Sequence, residues 1–334
     1  MDKLKKQVRS FEVAELANIS RSTVSRALSG DPRISEETRA RVEAAAAKLG
    51  YQPNLIARGL KNQSTGIVGV VVTDLDNPYH AHALQLLIEK LGAKRLAPLV
   101  FVGDTAEGAE NAIARLMSYQ VDAVIALAAP FSKQIVAACR AGKKPLILMN
   151  RYDGPDDVSF VCGDSHRAGS IVADHLIENG ATSFAYFAGD DTTSISADRE
   201  HGFTQRLAEK GFELTGRAAS RYDHAQAMSV APMLLACGAE AIFCANDTLA
   251  FALLDAARTM SPFGRPLIVG YDNSSLAAWP AYALTSVDQN LEKMTSVTVE
   301  TAHAMVGDAH SGVSRIVIEP YLIARGSTSP QSRT

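Results

Sequence analysis

From residue 67 to residue 272 the chain repeats one pattern, a short unbroken apolar run followed by a longer stretch of helical periodicity. The runs are "IVGVVVT" (67–73), "LVFVG" (99–103), "VIAL" (124–127), "LILMN" (146–150), "FAYFAG" (184–189), "AIFCAN" (241–246) and "LIVGYD" (267–272). Helical stretches lie between them at His82–Leu96, Glu107–Tyr119, Ala168–Gly180, Arg199–Gly211 and Thr248–Thr259. A strand that is apolar on both sides must be covered on both faces, which is the setting of a parallel sheet with helices above and below it. A single sheet of that size would be large, and two doubly wound halves fit better. Such halves place a ligand crevice at the carboxyl ends of their strands. The length, 334 residues, agrees with two or three compact units.

The first 63 residues differ in texture. They hold 12 Lys and Arg against 7 Asp and Glu, whereas the remainder holds 21 against 29. A basic head on an acidic body points to a polyanionic partner for the head alone. Three short helices are legible there. The first covers Phe11–Ala17 with Ser10 as N-cap, Asn18 supplies a left-handed turn and Ile19 an apolar plug. Ser20 caps a second helix, Arg21–Ser29, and Gly30-Asp31-Pro32 breaks the chain. Ser35 opens a third, with acids in its first turn, an inward stripe of Val42, Ala45, Ala46 and Leu49, and Gly50 as its stop. Val24 and Leu28 are expected to face inward with Leu16, Ile19 and Val42.

Helix, sharp turn, helix is the helix-turn-helix geometry, whose second helix lies in the DNA major groove. That helix presents Arg21, Ser22, Thr23, Ser25 and Arg26. Arginine can read guanine bidentately, while Ser and Thr reach bases or phosphates. For a helix pair taken alone, the competing reading is a small three-helix cap with a polar exposed face.

Other classes find little support. Cys139, Cys162, Cys237 and Cys244 show no C-x-x-C spacing, sit among small or apolar residues, and are expected to be reduced core thiols. His80-x-His82 is the nearest approach to a metal-ligand pattern, but that spacing splays the two side chains on a helix. Both histidines read as surface or interface residues, and no metal site is expected. No G-x-S-x-G, P-loop or G-x-G-x-x-G follows a strand, so neither an enzyme nor a cofactor is expected. No run of about 18 apolar residues spans a bilayer, and the N-terminus lacks the apolar stretch of a secretory signal. A cytoplasmic protein with no membrane partner is the expectation.

The head carries a more specific signature. V-A-x-x-A, I-S-x-x-T-V-S-R-x-L, S-E-x-T-R-x-R-V, L-G-Y-x-P-N and A-R-x-L follow one another in order over residues 13–60. This stretch resembles the head of the LacI/GalR family of bacterial transcription regulators. Two departures stand out: Arg9-Ser10 replaces the Thr and β-branched residue of many members, and Asn18 replaces the usual turn glycine, a change the turn accepts. The resemblance implies that Arg21 and Ser22 are variable base readers, that Arg26 is a more constant major-groove arginine, and that Thr23 and Ser25 contact phosphate or a base edge. It also implies a hinge helix containing Asn54, Arg58 and Leu60 that orders on operator DNA, with Leu60 wedged into a minor-groove step and kinking the duplex.

The resemblance continues through "GVVVTDLDNPYHAHALQLLIEKL", "GDSHRAGSIVADHLIENG", "ADREHGF", "IFCANDTLAFALLDAAR", "VGYDN", "TSVDQN" and "IEPYLIARGST". It implies two doubly wound parallel-sheet subdomains of the periplasmic sugar-binding type, closing around an effector. Asn77 and Tyr79 bring an aromatic face to the first crossover, suited to stacking on a pyranose or a base. Asn150 and Arg151 end the fourth strand, and Arg199 can fork two ligand hydroxyls or a carboxylate. Asn246 and Asp272 end later strands, Gln289 lies at a returning crossover, and Tyr222 adds a second aromatic. Amide, carboxylate and guanidinium groups around an aromatic plate suit a polyhydroxylated ligand. Asp247 reads equally as a helix N-cap or a ligand contact. Asp164 and His166 read as serving the hinge and the following helix start, and Tyr222 could simply pack.

The expected layout is a helix-turn-helix domain at 1–52 and a hinge helix with linker at 53–63. An N-subdomain follows at 64–162 plus 290–320, then a C-subdomain at 163–289 plus 321–330. The expected function is a ligand-responsive DNA-binding regulator, a repressor of a metabolic operon. Its partners are pseudo-palindromic operator DNA, a small-molecule effector (a sugar or sugar derivative) and a second copy of the chain. No long heptad tail follows Thr328, which favours a homodimer over a tail-tethered tetramer. The readings that compete are a sugar-binding or sugar-processing α/β protein whose head has a non-DNA role, and a solute carrier, against which the basic head argues.

Overall fold

The structure is a computed structural model, and it describes residues 8–29, 31–51, 64–129, 132–189, 194–260, 265–307 and 312–329. The chain divides into two compact units, residues 1–65 and 66–334. Asn54, Arg58 and Leu60 lie outside the described residues.

The head unit holds three helices, α1 (Ser10–Leu16), α2 (Arg21–Leu28) and α3 (Glu36–Leu49). Ser10 does not cap α1. Arg9 occupies the N-cap position, and its backbone N–H donates to the Glu12 carboxylate at 3.1 Å. Asn18 turns the chain with φ +53°, a left-handed value that Asn tolerates because its short polar side chain can bond locally. Ser20 Oγ accepts from the Thr23 N–H at 3.1 Å, Ser35 Oγ accepts from the Thr38 N–H at 3.3 Å, and Gly50 closes α3 at φ +66°. The small core is Val13, Ala14, Ala17, Val24, Ala27, Val42, Ala45 and Ala46, with Ile19, Leu28 and Leu49 packed against it. Leu16 is the exception to the expected inward set, at 45% exposure. The buried stripe of α1 is Val13, Ala14 and Ala17, and Leu16 falls on the other side of that turn.

The larger unit contains two six-stranded sheets. The first runs β11 (Arg315–Ile318), β5 (Ser159–Gly163), β4 (Leu146–Met149), β3 (Ala123–Leu127), β1 (Ile67–Val72), β2 (Ala97–Val102), with each neighbouring pair parallel. Its faces divide by alternation. Val68, Val70 and Val72 point to α4 (Pro78–Ala93) and to α11 (Leu291–Gly307). Val71, Val124 and Ala126 point to α5 (Ala106–Ser118) and α6 (Lys133–Ala141).

The second sheet runs β12 (Tyr321–Ile323), β10 (Thr285–Asp288), β9 (Leu267–Tyr271), β8 (Ala241–Cys244), β6 (Phe184–Ala188), β7 (Leu214–Ala219). Its helices are α7 (Ser165–Glu178), α8 (Ser194–Glu209), α9 (His224–Leu235) and α10 (Asp247–Met260). Tyr186, Phe203 and Phe243 form an edge-packed aromatic centre with ring centroids 5.2–6.2 Å apart. The α7–α8 pair packs backbone to backbone. A Cβ built on Gly202 would lie 2.0 Å from the His166 carbonyl oxygen, so only glycine fits there.

β1–β4, β6, β8 and β9 coincide with the seven apolar runs, and β5, β7, β10, β11 and β12 are additional. β12 pairs antiparallel with β10. Only Glu319 and Pro320 separate it from β11, which lies in the other sheet. The chain passes from one half to the other after β5, after β10 and after β11. Cys139, Cys162 and Cys244 are buried, but Cys237 is exposed, on the loop that follows α9. Burial pushes the Cys139 and Cys162 thiols up to about 12, which leaves them protonated and unreactive. Among the described residues no helix is long and apolar enough to cross a membrane.

Candidate functional site

Doubly wound sheets bring their loops together at the strands' carboxyl ends, and there the two halves of the larger unit enclose a cavity of about 360 Å³. From the first half come Thr73 and Asp74 after β1, Asp104 after β2, Ala128 after β3, and Asn150 and Arg151 after β4. The start of α4 adds Asn77, Tyr79 and His80. From the second half come Ile195, Ser196 and Arg199 on α8, with Tyr222, Asn246, Asp272 and Gln289 after β7, β8, β9 and β10. All nine residues singled out for ligand contact in the sequence therefore line one cavity.

Four lining residues other than glycine have positive φ: Asp74 (32°), Ala128 (51°), Asn150 (60°) and Asp272 (105°). Such backbone costs about 1–3 kcal/mol per residue and gathers where side chains must be aimed. At the centre, the Arg199 side chain is 5% exposed. Its guanidinium lies 3.4 Å from the centroid of the Tyr271 ring and donates through Nη1 to the Ala245 carbonyl. Its Nε has no partner. Gln289 is buried, donates through Nε2 to Asp272 Oδ1 at 2.8 Å, and leaves Oε1 without a partner. Asn150 Oδ1 is likewise buried and unpartnered. Buried polar groups of native proteins are ordinarily paired, and here three residues lining one cavity each keep an atom without a protein partner.

Asp272 is held between opposing influences. Burial pushes its carboxyl up to about 8, while Arg199 acts in the other direction. The folded state therefore keeps a proton that the unfolded chain, with an ordinary carboxylate value of 3.8, releases. The corresponding stability is full below pH 4 and is lost as pH rises through 8. Asp272→Asn removes that loss. Between pH 5 and 8 the variant is expected to gain on the native chain, by at most about 1.4 kcal/mol per pH unit. Thermal melts of both proteins across that range check this, and a stability difference that is flat with pH would overturn it.

Several residues have a local duty as well. Asn77 caps α4, its Oδ1 accepting from the Tyr79 N–H at 3.0 Å, and Asn246 caps α10 by accepting from Leu249 at 3.0 Å. Tyr79 is only 3% exposed and packs in the first half's core, its hydroxyl directed at Met294 Sδ. Arg151 is committed to Asp153, at 3.0 and 2.6 Å, and to the Ala129 carbonyl at 3.3 Å. Tyr222 lies flat on the end of β6. A Cβ on Gly189 would sit 2.1 Å from its ring, and its hydroxyl is 3.2 Å from Ser196 Oγ. Asp247, open between cap and ligand contact, is neither. It is buried, accepts from Ser286 Oγ at 2.6 Å and from the Ser274 N–H at 2.7 Å, and ties the start of α10 to strand β10 and to the loop after β9. Asp164 caps α7 as expected, accepting from the Arg167 N–H at 2.8 Å.

Sequence reasoning missed part of the wall. His80, read as a surface or interface residue, is half-buried and lines the cavity, and its Nδ1 lies 3.1 Å from the Asp74 carbonyl. Burial lowers its pKa. Asp74 and Asp104 have no motif of their own and meet only because β1 and β2 are neighbours. Tyr152, between β4 and β5, gives its hydroxyl proton to Asp198 on α8 and so spans the two halves beside the cavity. Among the described residues no group of three His, Cys, Asp or Glu side chains could hold a metal ion.

On the head unit, Arg21, Ser22, Ser25 and Arg26 are exposed on α2 and Thr23 is half-buried, while Val24 and Ala27 point into the core. The hydroxyls of Ser22 and Thr23 lie 2.7 and 2.8 Å from Ser20 Oγ, so the start of the helix is a small hydroxyl network. The exposed face carries two guanidinium groups and no carboxylate.

Residues 11–54 match the family of bacterial regulatory proteins of the lacI type, and residues 173–328 match the periplasmic binding protein-like domain. The chain is 30% identical over 338 residues to the HTH-type transcriptional regulator DegA of Bacillus subtilis (strain 168), covering 96% of this chain and 98% of that protein. Its fold is similar to that of the transcriptional regulator CelR in complex with cellobiose (TM-score 0.72, 25% identity, 96% of this chain and 100% of that one). It is also similar to the lac repressor dimer bound to operator and the anti-inducer ONPF (TM-score 0.83, 22% identity, 97% and 99%). A helix-turn-helix head with a guanidinium-bearing second helix, a two-sheet clamp, and a relative alike along nearly the whole chain lead to one conclusion: this chain belongs to the lacI family of DNA-binding transcription regulators.

Proposed function

We propose that the chain acts in the cytoplasm as a homodimer that binds pseudo-palindromic operator DNA and represses a metabolic operon, and that a sugar or sugar derivative bound in the cavity changes its affinity for that DNA. Arg21, Ser22 and Arg26 read bases in the major groove; Thr23 and Ser25 hold phosphates or base edges. Asn54, Arg58 and Leu60 complete the DNA contacts from the hinge segment. Asn77, Tyr79, Asn150, Arg151, Arg199, Tyr222, Asn246, Asp272 and Gln289 hold the effector. The observation that carries the reading is the buried array of Arg199, Asp272, Gln289 and Asn150, three of whose polar atoms lack protein partners. Hydroxyl groups, which donate and accept, complete such an array.

Coupling follows from the covalent layout. Three chain passages join the two halves, so a ligand bridging them favours one mutual arrangement. Two head units presented by a dimer then match or miss the spacing of two half-sites. A ligand shifts this balance only by as much as its affinities for the two arrangements differ. Cellobiose bound to one structural neighbour and operator bound to another belong to those proteins and agree in kind with this reading.

A gel shift of the full chain tests it, using palindromic DNA from the promoter of its own gene at fixed salt, with and without a sugar panel. Binding to the palindrome well above random DNA, altered by at least one sugar, is expected. No preference for the palindrome defeats the DNA half of the reading, and formation of a new product from a sugar would favour a sugar-processing role.

A further inference from the structure

One end of the cavity has a chemistry that the array around Arg199 does not share. Asp74, Asp104 and His80 line it, from the ends of β1 and β2 and the first turns of α4. Asp104 Oδ1 accepts from the Asp74 N–H at 3.0 Å, and Asp74 Oδ1 accepts from the Asp76 N–H at 3.2 Å. Each carboxylate is thereby oriented by backbone and keeps most of its acceptor capacity. His80 Nδ1 faces the Asp74 carbonyl at 3.1 Å. A carbonyl only accepts, so Nδ1 carries the hydrogen, and in the neutral ring Nε2 is left as an acceptor. Burial lowers the His80 pKa and favours that neutral ring.

The rest of the wall has the same bias. Gln289 is 1% exposed, and because its Nε2 donates to Asp272, the atom left without a partner is Oε1, an acceptor. The unpartnered atom of Asn150 is also an oxygen. Cationic donors are few. Arg151 is tied to Asp153, and Arg199 offers the cavity an unpartnered Nε. At α4 and α10 the helix starts do not substitute for them, since Asn77 and Asn246 cap these two helices with their own side chains.

We propose that this cleft is selective for polyhydroxylated ligands without an anionic group, and that Asp74, Asp104 and His80 form a subsite accepting hydrogen bonds from hydroxyl or ammonium groups at one end of the ligand. The inference rests on the reading of the cavity as a polyol site and adds the charge class of the occupant. A phosphate or carboxylate brings acceptors and negative charge to a wall already furnished with both. A hydroxyl or an amine brings the missing donors.

The test measures thermal shift and calorimetric binding of the full chain against matched sets of sugars: neutral hexoses and disaccharides, their 2-amino derivatives, and their 6-phosphates and uronic acids. Binding confined to the neutral and amino sets is expected. The double variant Asp74→Asn/Asp104→Asn keeps both backbone hydrogen bonds and the shape of the site. It is expected to bind the best of these ligands about tenfold more weakly or worse, and an amino sugar to lose more than its neutral parent. A phosphate or uronate that binds as tightly as its neutral parent overturns this inference and leaves the polyol reading standing, as does a double variant with undiminished affinity. Silence from all three sets defeats the polyol reading itself, and this inference with it.

Discussion

Arg199→Ala is expected to weaken effector binding about 100-fold or more and to abolish the effector's influence on DNA binding, while the effector-free protein still binds operator. A hydrogen bond from a charged group is worth about 1.5–3 kcal/mol, and a ligand held by the guanidinium loses it. The change also acts on Asp272, whose carboxyl is pushed up to about 8 by burial and whose pKa the charge of Arg199 holds down. Without the guanidinium it stays neutral across a wider range and accepts less well from a ligand hydroxyl. The cavity also loses the unpartnered Nε donor and the cover over the Tyr271 ring. Arg199→Lys keeps the charge but not the planar fork, and is expected to fall between the two. Calorimetry with the best sugar ligand, gel shifts with and without it, and a melting curve for each variant make the comparison. DNA binding survives because α2 sits in a unit with its own core. An unchanged ligand response in Arg199→Ala would remove Arg199 from the effector site.

Arg26→Ala is expected to cost about 1–3 kcal/mol of discrimination between operator and random DNA, the range for one bidentate base contact. The head should tolerate the change. Arg26 is exposed in the last turn of α2, its side chain makes no intramolecular hydrogen bond among those described, and alanine is the better helix former. The buried side of α2, Val24 and Ala27, is untouched. Titrations of both proteins on both DNAs at one salt concentration decide the matter. Equal weakening on operator and random DNA would make Arg26 a phosphate contact, because a phosphate contact carries no sequence information.

What could be read in advance, and what could not, divides along a physical line. β1, β3, β4, β6, β8 and β9 are central strands apolar on both faces, and an unbroken apolar run is what such a strand requires. β10 hides behind polar letters. Thr285 and Ser286 are fully buried, yet their hydroxyls are paired with Thr328 at 2.7 Å and Asp247 at 2.6 Å, partners distant in the chain. β7 and β12 lie at sheet edges, where half-exposure mixes polar with apolar residues. In the head, Leu16 looks like core by composition, but the hundred-degree step of the helix turns it to solvent.

The cavity shows the same division. Its nine anticipated residues belong to local motifs at the ends of strands or the starts of helices, and a strand's end points to the crevice whatever lies beyond it. Type and position were therefore legible along the chain: a basic second helix capped by Ser20 and two windings of strand and helix. The partners were not. Arg151 is spoken for by Asp153, Tyr79 by the core, and Asp247 by strand β10 and the loop after β9 at once. Asp74, Asp104 and His80 become one acceptor-lined end only when β1 and β2 pair. Hydrogen-bond satisfaction and burial are sums over neighbours in space, and those sums set which polar atoms are left for a ligand and at what pH Asp272 is charged. That selection of free atoms belongs to the tertiary structure, because one chain order is compatible with many sets of spatial neighbours until the sheets form.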